Sequence, residues 1–226
     1  MGNKGNNRHI KRLAANKFVN VSRKTNAYLT KPNAGRFTIG STIALITVLK
    51  EKLNVAANSR EARMIIKGGG VLVNGKAIKE ERYPLGFGDS IEFPKSGKIY
   101  LMQVGKRGVV SLSEVDVSKH ERIFRVVGKY TAKGKKQMIR LHDGTNIACD
   151  KDLSVNDSVQ LKDGKVEHVI KLGKGAKCLV INGVHASRTG TIKEIKPGTA
   201  TRRATVEIES DGKKAETLLD NIMVIK

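Results

Sequence analysis

The stretch Ser59-Arg60-Glu61-Ala62-Arg63-Met64-Ile65-Ile66-Lys67-Gly68-Gly69-Gly70-Val71-Leu72-Val73-Asn74-Gly75 decides how this chain folds. Asn58, just before it, stands three residues ahead of Glu61, the spacing of a capping box with Asn as the cap. Behind that cap Ala62, Ile65 and Ile66 share one helical face, while Arg60, Arg63 and Lys67, at spacings of three and four, share another. The run Gly68-Gly69-Gly70 ends the helix, because glycine takes the left-handed conformation beyond a C-terminus without steric cost. Val71-Leu72-Val73 then changes the period from helix to strand, and Asn74-Gly75 is a tight hairpin turn.

Reading outward, Ser41 is placed to cap an earlier helix in which Ile43, Ile46, Leu49 and Leu53 recur every three or four residues, with a break at 54–58. Downstream, Tyr83-Pro84 and Gly86-Phe87-Gly88-Asp89 mark a loop, and Ser90-Ile91-Glu92-Phe93 alternates as a strand. Residues 41–94 therefore predict two helices followed by a small antiparallel sheet. From about residue 95 the helical period disappears. Short β-branched runs alternate with the turn pairs Asp143-Gly144, Asp163-Gly164 and Asp211-Gly212, a pattern of hairpins in small β units. Gly173-Lys174-Gly175 divides 95–172 from 173–226. The predicted architecture is multidomain α+β, with a basic extension over 1–40.

Charge names the kind of partner. The 226 residues carry 43 Lys+Arg against 21 Asp+Glu, a net charge of +22. The first carboxylate is Glu51, so residues 1–50 hold basic groups with nothing to neutralise them. Lys4, Arg8, Lys11, Arg12, Lys17, Arg23, Lys24, Lys31 and Arg36 would repel one another in isolation, and laying them along phosphates relieves that by releasing counterions. The extension is accordingly expected to be an RNA-binding arm added to a fold that stands without it, and unordered when alone. Nucleic-acid contacts are expected from these cations other than Lys31, from Arg60, Arg63, Lys67 and Lys76, and from Arg188 and the Arg202-Arg203 pair.

Other readings are narrower. With 39% hydrophobic residues the chain can build cores, and with 4% aromatics and no Trp an aromatic-lined ligand pocket is not expected. There is no apolar run long enough to span a membrane and no signal-peptide core. Met1-Gly2 opens like a myristoylation site, but Asn6 stands where Ser or Thr is needed. Cys149 and Cys178 have no metal or redox spacing and read as small buried apolar residues. Gly70-Val71-Leu72-Val73-Asn74-Gly75-Lys76 mimics most of a P-loop, yet Ala77 lacks the magnesium-binding hydroxyl. His9, His120, His142, His168 and His185 have no zincin spacing. Asp143, Asp163 and Asp211 precede Gly in turns, where Asp tolerates positive φ. No catalytic residue, metal, cofactor or small-molecule substrate is assigned.

Residues 59–75, closed by Gly88-Asp89-Ser90-Ile91, resemble the signature of the S-four type RNA-binding domain. Lys177-Cys178-Leu179-Val180-Ile181-Asn182-Gly183 with Arg188-Thr189-Gly190-Thr191-Ile192 is similar to a KOW motif, two strands around a central glycine in an SH3-like barrel. Arg8-His9-Ile10-Lys11-Arg12-Leu13-Ala14-Ala15 looks like the opening of the archaeal/eukaryotic-type small-subunit ribosomal protein S-four-e family, although Asn16 stands where that family more often has Pro. The order of these pieces resembles that family along essentially the whole chain. The resemblance implies a non-enzymatic, structural component of the cytoplasmic ribosome whose partners are small-subunit rRNA and neighbouring ribosomal proteins. The alternatives are an RNA-modifying enzyme carrying an S-four type domain, or a KOW-type transcription or translation factor. The last aromatic residue is Tyr130, so the C-terminal β units lack base-stacking platforms and are expected to grip phosphate and 2′-OH groups instead.

Overall fold

The computed structural model describes residues 7–115, 122–149, 152–162, 165–210 and 212–225. Lys4, His120, the Asp163-Gly164 turn and Asp211 lie outside them, as do the side chains of Lys162 and Lys165. The described residues fall into two units, the first taking those up to 103 with 109–115 and the second 104–108 with those from 122 onward.

In the first unit the predicted second helix forms over Ser59–Lys67. Asn58 Oδ1 accepts from the Glu61 amide at 3.0 Å, and Glu61 Oε2 accepts from the Ala57 amide at 2.8 Å. Gly69 (φ +72), rather than Gly68, takes the left-handed position at the C-terminus. Asn74 (φ +53) and Gly75 (φ +78) close a hairpin in which Leu72 faces Ala77 and Val73 faces Lys76. The segment after Gly75 is thus a strand, and no helix N-terminus stands there to hold a phosphate.

The earlier helix departs from expectation at its start. Ser41 is not its cap: its hydroxyl meets Thr38 Oγ1 at 2.9 Å. Ile43–Ala44 is extended and pairs with Pro84–Leu85, and the helix begins at Leu45. Its leading amides are satisfied from far along the chain, Leu45 by the Tyr83 carbonyl (3.0 Å) and Ile46 by that of Glu81 (3.1 Å). From Val48 to Lys52 the winding is π. Leu45, Ile46, Val48 and Leu49 are all buried, so packing holds this segment where caps do not.

The basic extension is not a loose arm. His9–Lys11 pairs antiparallel with Tyr28–Thr30, and two 3₁₀ turns lie between them, Arg12–Ala14 and Lys17–Val19. Ala15, Phe18, Val19 and Leu29 are buried in the same core as Ile43, Leu49, Ile66 and Ile91. The apolar residues spaced among the cations supply the burial that self-repulsion alone would deny the segment. Nor does the sheet end at Phe93. It has five strands in the order Lys76–Ala77, Leu72–Val73, Ser90–Phe93, Lys98–Gly105, Val109–Val115.

The second unit holds two five-stranded antiparallel sheets. One runs Asn146–Ala148, Gln137–Leu141, Arg122–Thr131, Ser158–Lys162, Lys165–Ile170, over a core that includes Phe124, Val126, Leu141 and Cys149. The other runs Lys213–Leu218, Thr205–Ser210, Thr189–Lys196, Lys177–Val180, Ile222–Val224, over Cys178, Val180, Ile192 and Val206. Both cysteines are buried as expected, and burial pushes the Cys178 thiol up to about 11. Arg125 ties the two sheets, its Nη1 donating to the Asp220 carbonyl and, at 3.3 Å, to that of Ile222. In the Asp143-Gly144 turn it is Gly144 (φ +82) that is left-handed. Asp143 serves through its side chain, accepting from the Thr145 amide at 2.9 Å and hydroxyl at 2.6 Å.

Candidate nucleic-acid interface

Arg60, Arg63, Met64 and Lys67 are exposed on the helix Ser59–Lys67, while Ala62 and Ile66 are buried beneath them. Two turns of helix fixed at both ends therefore carry the expected row of cations on a rigid support. Arg63 is partly occupied, since its Nε donates to Glu81. Exposed ion pairs of this kind contribute little and exchange readily. Lys76 is exposed in the hairpin beyond the helix. On the N-terminal ribbon Arg8, Lys11, Lys17, Arg23 and Lys24 are exposed, with Arg23 Nη2 also donating to the Ala15 carbonyl at 3.3 Å.

Two of the cations marked in the sequence are engaged by the fold, Arg12 wholly and Arg36 in part. Arg12 is 2% exposed; its Nη1 and Nη2 meet Glu51 Oε1 and Oε2 at 3.0 and 2.6 Å, and its Nε donates to the Ser22 carbonyl. All three nitrogens are spent on the fold, so Arg12 leaves the set of candidate RNA contacts. The Arg12 hydrogen bond holds the Glu51 carboxyl below its ordinary value, with Lys50 and Lys52 adding to the attraction. Arg36, half-buried, donates to Asp89 Oδ1 at 2.8 Å. Asp89 also accepts from Asn74 Nδ2 (2.6 Å) and the Gly86 amide (3.0 Å), and Asn74 Oδ1 accepts from the Ser90 amide (3.0 Å). Burial nevertheless raises the Asp89 carboxyl, outweighing these favourable partners. The residues that end the helix–hairpin signature thus lock its turn to the loop before the last strand.

In the second unit Arg188, Arg202 and Arg203 are all exposed, but they are not neighbours. Arg188 precedes the strand Thr189–Lys196, and Arg202-Arg203 follows it. Eight residues of strand put them roughly 25 Å apart. Lys193 and Lys196 face Glu209 and Glu207 at 2.7 and 2.6 Å on the same sheet, so these two lysines are paired within it, while the exposed arginines stand at the ends of the strand.

Sequence reasoning passed over Tyr28, whose ring is exposed on the ribbon and makes a T-shaped contact with His9, centroids 4.7 Å apart. The residues are nineteen positions apart and only strand pairing joins them, so no spacing rule flags them. Among the described residues no group of three or more His, Cys, Asp or Glu is placed to hold a metal, and no helix is long and apolar enough to cross a membrane.

Known proteins share both sequence and fold with this chain. The S4 domain family matches residues 45–91, and the family described as ribosomal family S4e matches residues 96–166. "Small ribosomal subunit protein eS4" of Methanosphaera stadtmanae is 34% identical over 228 residues, covering 100% of this chain and 95% of the relative. The protein of the same name from Methanococcus aeolicus is 32% identical, covering 100% and 96%. The crystal structure of the 30S ribosomal protein S4e from Thermoplasma acidophilum superimposes with a TM-score of 0.70 at 25% identity, covering 82% of this chain and 95% of that one.

Proposed function

Because the chain belongs to the ribosomal family S4e, we propose that its exposed cations are the surface by which it grips folded small-subunit rRNA. The chain is a structural constituent of the small ribosomal subunit and resides in the cytoplasmic ribosome; it is not an enzyme. The alternatives of a modifying enzyme and an exchanging factor give way to that membership. An S4 domain in a ribosomal protein implies rRNA and ribosomal-protein partners.

The observation that carries the proposed surface is the row Arg60, Arg63, Lys67 on a capped helix, joined in the same unit by the exposed ribbon cations Arg8, Lys11, Lys17, Arg23 and Lys24. Lys4, Lys76, Arg188, Arg202 and Arg203 complete the proposed contacts. Arg36 enters only through its exposed edge, since Asp89 holds it. Several modest contacts on one RNA combine through effective concentration into tight binding.

The last sheet is read as a KOW-type SH3-like barrel. Gly190 supports that reading, because a Cβ there would lie 2.5 Å from the Glu209 carbonyl oxygen, so the motif's central position tolerates only glycine. The division into 1–40, 41–94, 95–172 and 173–226 belongs to the same proposal. Separate cores under the two C-terminal sheets support its last boundary, and the strands after residue 94 enlarge the sheet of the second module.

A salt titration of RNA affinity tests the clamp. Neutralising about six to ten phosphates should cost about 10³–10⁵ in affinity between 50 and 200 mM salt. A nearly flat slope refutes it. As a ribosomal constituent the protein should also sediment stoichiometrically with small subunits through a high-salt wash.

A further inference from the structure

The chain has nine aromatic side chains and no Trp. Among them only Tyr28 (57% exposed) and Tyr130 (43%) stand in solvent; Phe18, Phe93 and Phe124 are buried and the others at least partly covered. Tyr28 is set apart by its surroundings. Leu29 points into the core, so Tyr28 and Thr30 face the other way, and the His9 and Tyr28 rings pack in a T-shaped contact with planes at 75°. Lys11, exposed, lies directly across the ladder from Tyr28, and exposed Arg8 precedes His9.

The platform is fixed in place. The ladder is extended at both ends by the Arg12 amide on the Ala27 carbonyl (2.9 Å) and the Lys31 amide on the Arg8 carbonyl (3.1 Å). Beside the ring is a polar cleft of about 60 Å³ bordered by Thr30, Thr47, Lys50 and Ser59. The one carboxylate on that border, Glu51, is neutralised by Arg12.

We propose that Tyr28, braced by His9, stacks one unpaired base of the bound RNA while Lys11, on the same face of the ladder, takes a flanking phosphate. A supported ring offers its face to a planar partner, and the cations around it select a polyanionic one. A duplex cannot use this site, since its bases are already stacked on each other; an extruded or single-stranded nucleotide can. Hydroxyls and the Lys50 ammonium at the cleft then reach the edge of that base. The inference rests on the rRNA-binding reading and narrows it: one contact in this unit reads an unstacked nucleotide, in addition to backbone.

Tyr28→Trp places the only tryptophan of the full-length protein at this site. Titration with a single-stranded ten-residue oligoadenylate should quench its emission saturably, whereas a blunt RNA duplex at equal phosphate should bind with little quenching. In parallel, Tyr28→Leu should weaken oligoadenylate binding about 5- to 150-fold, leave duplex affinity and thermal melting unchanged, and be restored by Tyr28→Phe. The stacking site is overturned if the Trp is not quenched, if Leu weakens both RNAs alike, or if Leu changes neither, which would turn the ring into a protein-facing residue. If the wild-type protein binds neither RNA at low salt, the rRNA-binding reading itself fails and takes this site with it.

Discussion

Removing the Glu51 carboxylate would strand a guanidinium in the core of the first unit. Arg12 is 2% exposed and makes both of its Nη contacts to Glu51, at 3.0 and 2.6 Å, whereas Glu51 keeps 17% of its surface in water. The two ends of the pair are therefore unequal. Glu51→Ala leaves a buried cation with a single backbone acceptor, and breaking a buried pair in this way costs about 3–5 kcal/mol. Arg12→Met leaves a carboxylate that can rehydrate and fills much of the lost volume, so its cost is about 1–2 kcal/mol. Because the chain has two units, hydrogen exchange of peptides covering 7–31 and 45–67 is the appropriate measure. Glu51→Ala should accelerate their exchange roughly 150- to 5000-fold, and Arg12→Met no more than about 30-fold. Acid titration supplies a second arm. Arg12 holds the folded Glu51 carboxyl below its ordinary 4.5, so the unfolded chain binds the proton first. The stabilisation is complete above 4.5 and drains away as pH falls through the depressed folded value. The stability gap between wild type and Glu51→Gln should be constant from pH 7 to 5 and shrink below 4.5. A Glu51→Ala cost under about 1 kcal/mol, an equally costly Arg12→Met, or a pH-independent gap would refute the reasoning.

Gly190→Ala puts a methyl 2.5 Å from both the Glu209 carbonyl oxygen and Ile208 Cγ2, and should cost the last sheet about 2–3 kcal/mol. Gly173→Ala, with nothing within 4 Å, should be neutral, and equal melting of the two variants would contradict the close approach of the strands. Deleting residues 1–36 removes Phe18, Val19 and Leu29 from the core and Arg12 from Glu51. At about 1.5–3 kcal/mol per buried side chain, the truncated first unit should lose most of its exchange protection, and a truncation that melts like the whole protein would disprove the packed ribbon.

Where a structural decision is made within a few residues, it was legible. Asn58, three residues from Glu61, caps the second helix; Gly69 ends it; Asn74-Gly75 turns the hairpin; Asp143-Gly144 turns another. Each is a local matter of backbone torsion and a nearby side-chain acceptor. Ser41 misled because the first helix takes its opening hydrogen bonds from the Tyr83 and Glu81 carbonyls, which no window around residue 41 contains. The basic extension misled for a related reason. Its charge is visible in composition, but its apolar residues acquire meaning only against Ile43, Leu49 and Ile66.

The candidate site divides along the same line. Arg60, Arg63 and Lys67 could be placed together from spacing because the helical period sets their positions. Arg12 and Arg36 read like every other cation in the first fifty residues; their carboxylates lie 39 and 53 residues away. His9 and Tyr28 meet across a ladder, and Arg188 and Arg202 are parted by the length of a strand. Composition, caps, turns and periodicity by themselves determined the second helix, its cationic face, the hairpins and the polyanionic character of the partner, since each depends on neighbours in the chain or on a sum over it. Which cations remain available to that partner was decided only by tertiary structure, because a charge is spent or left free according to distances in space that folding alone creates.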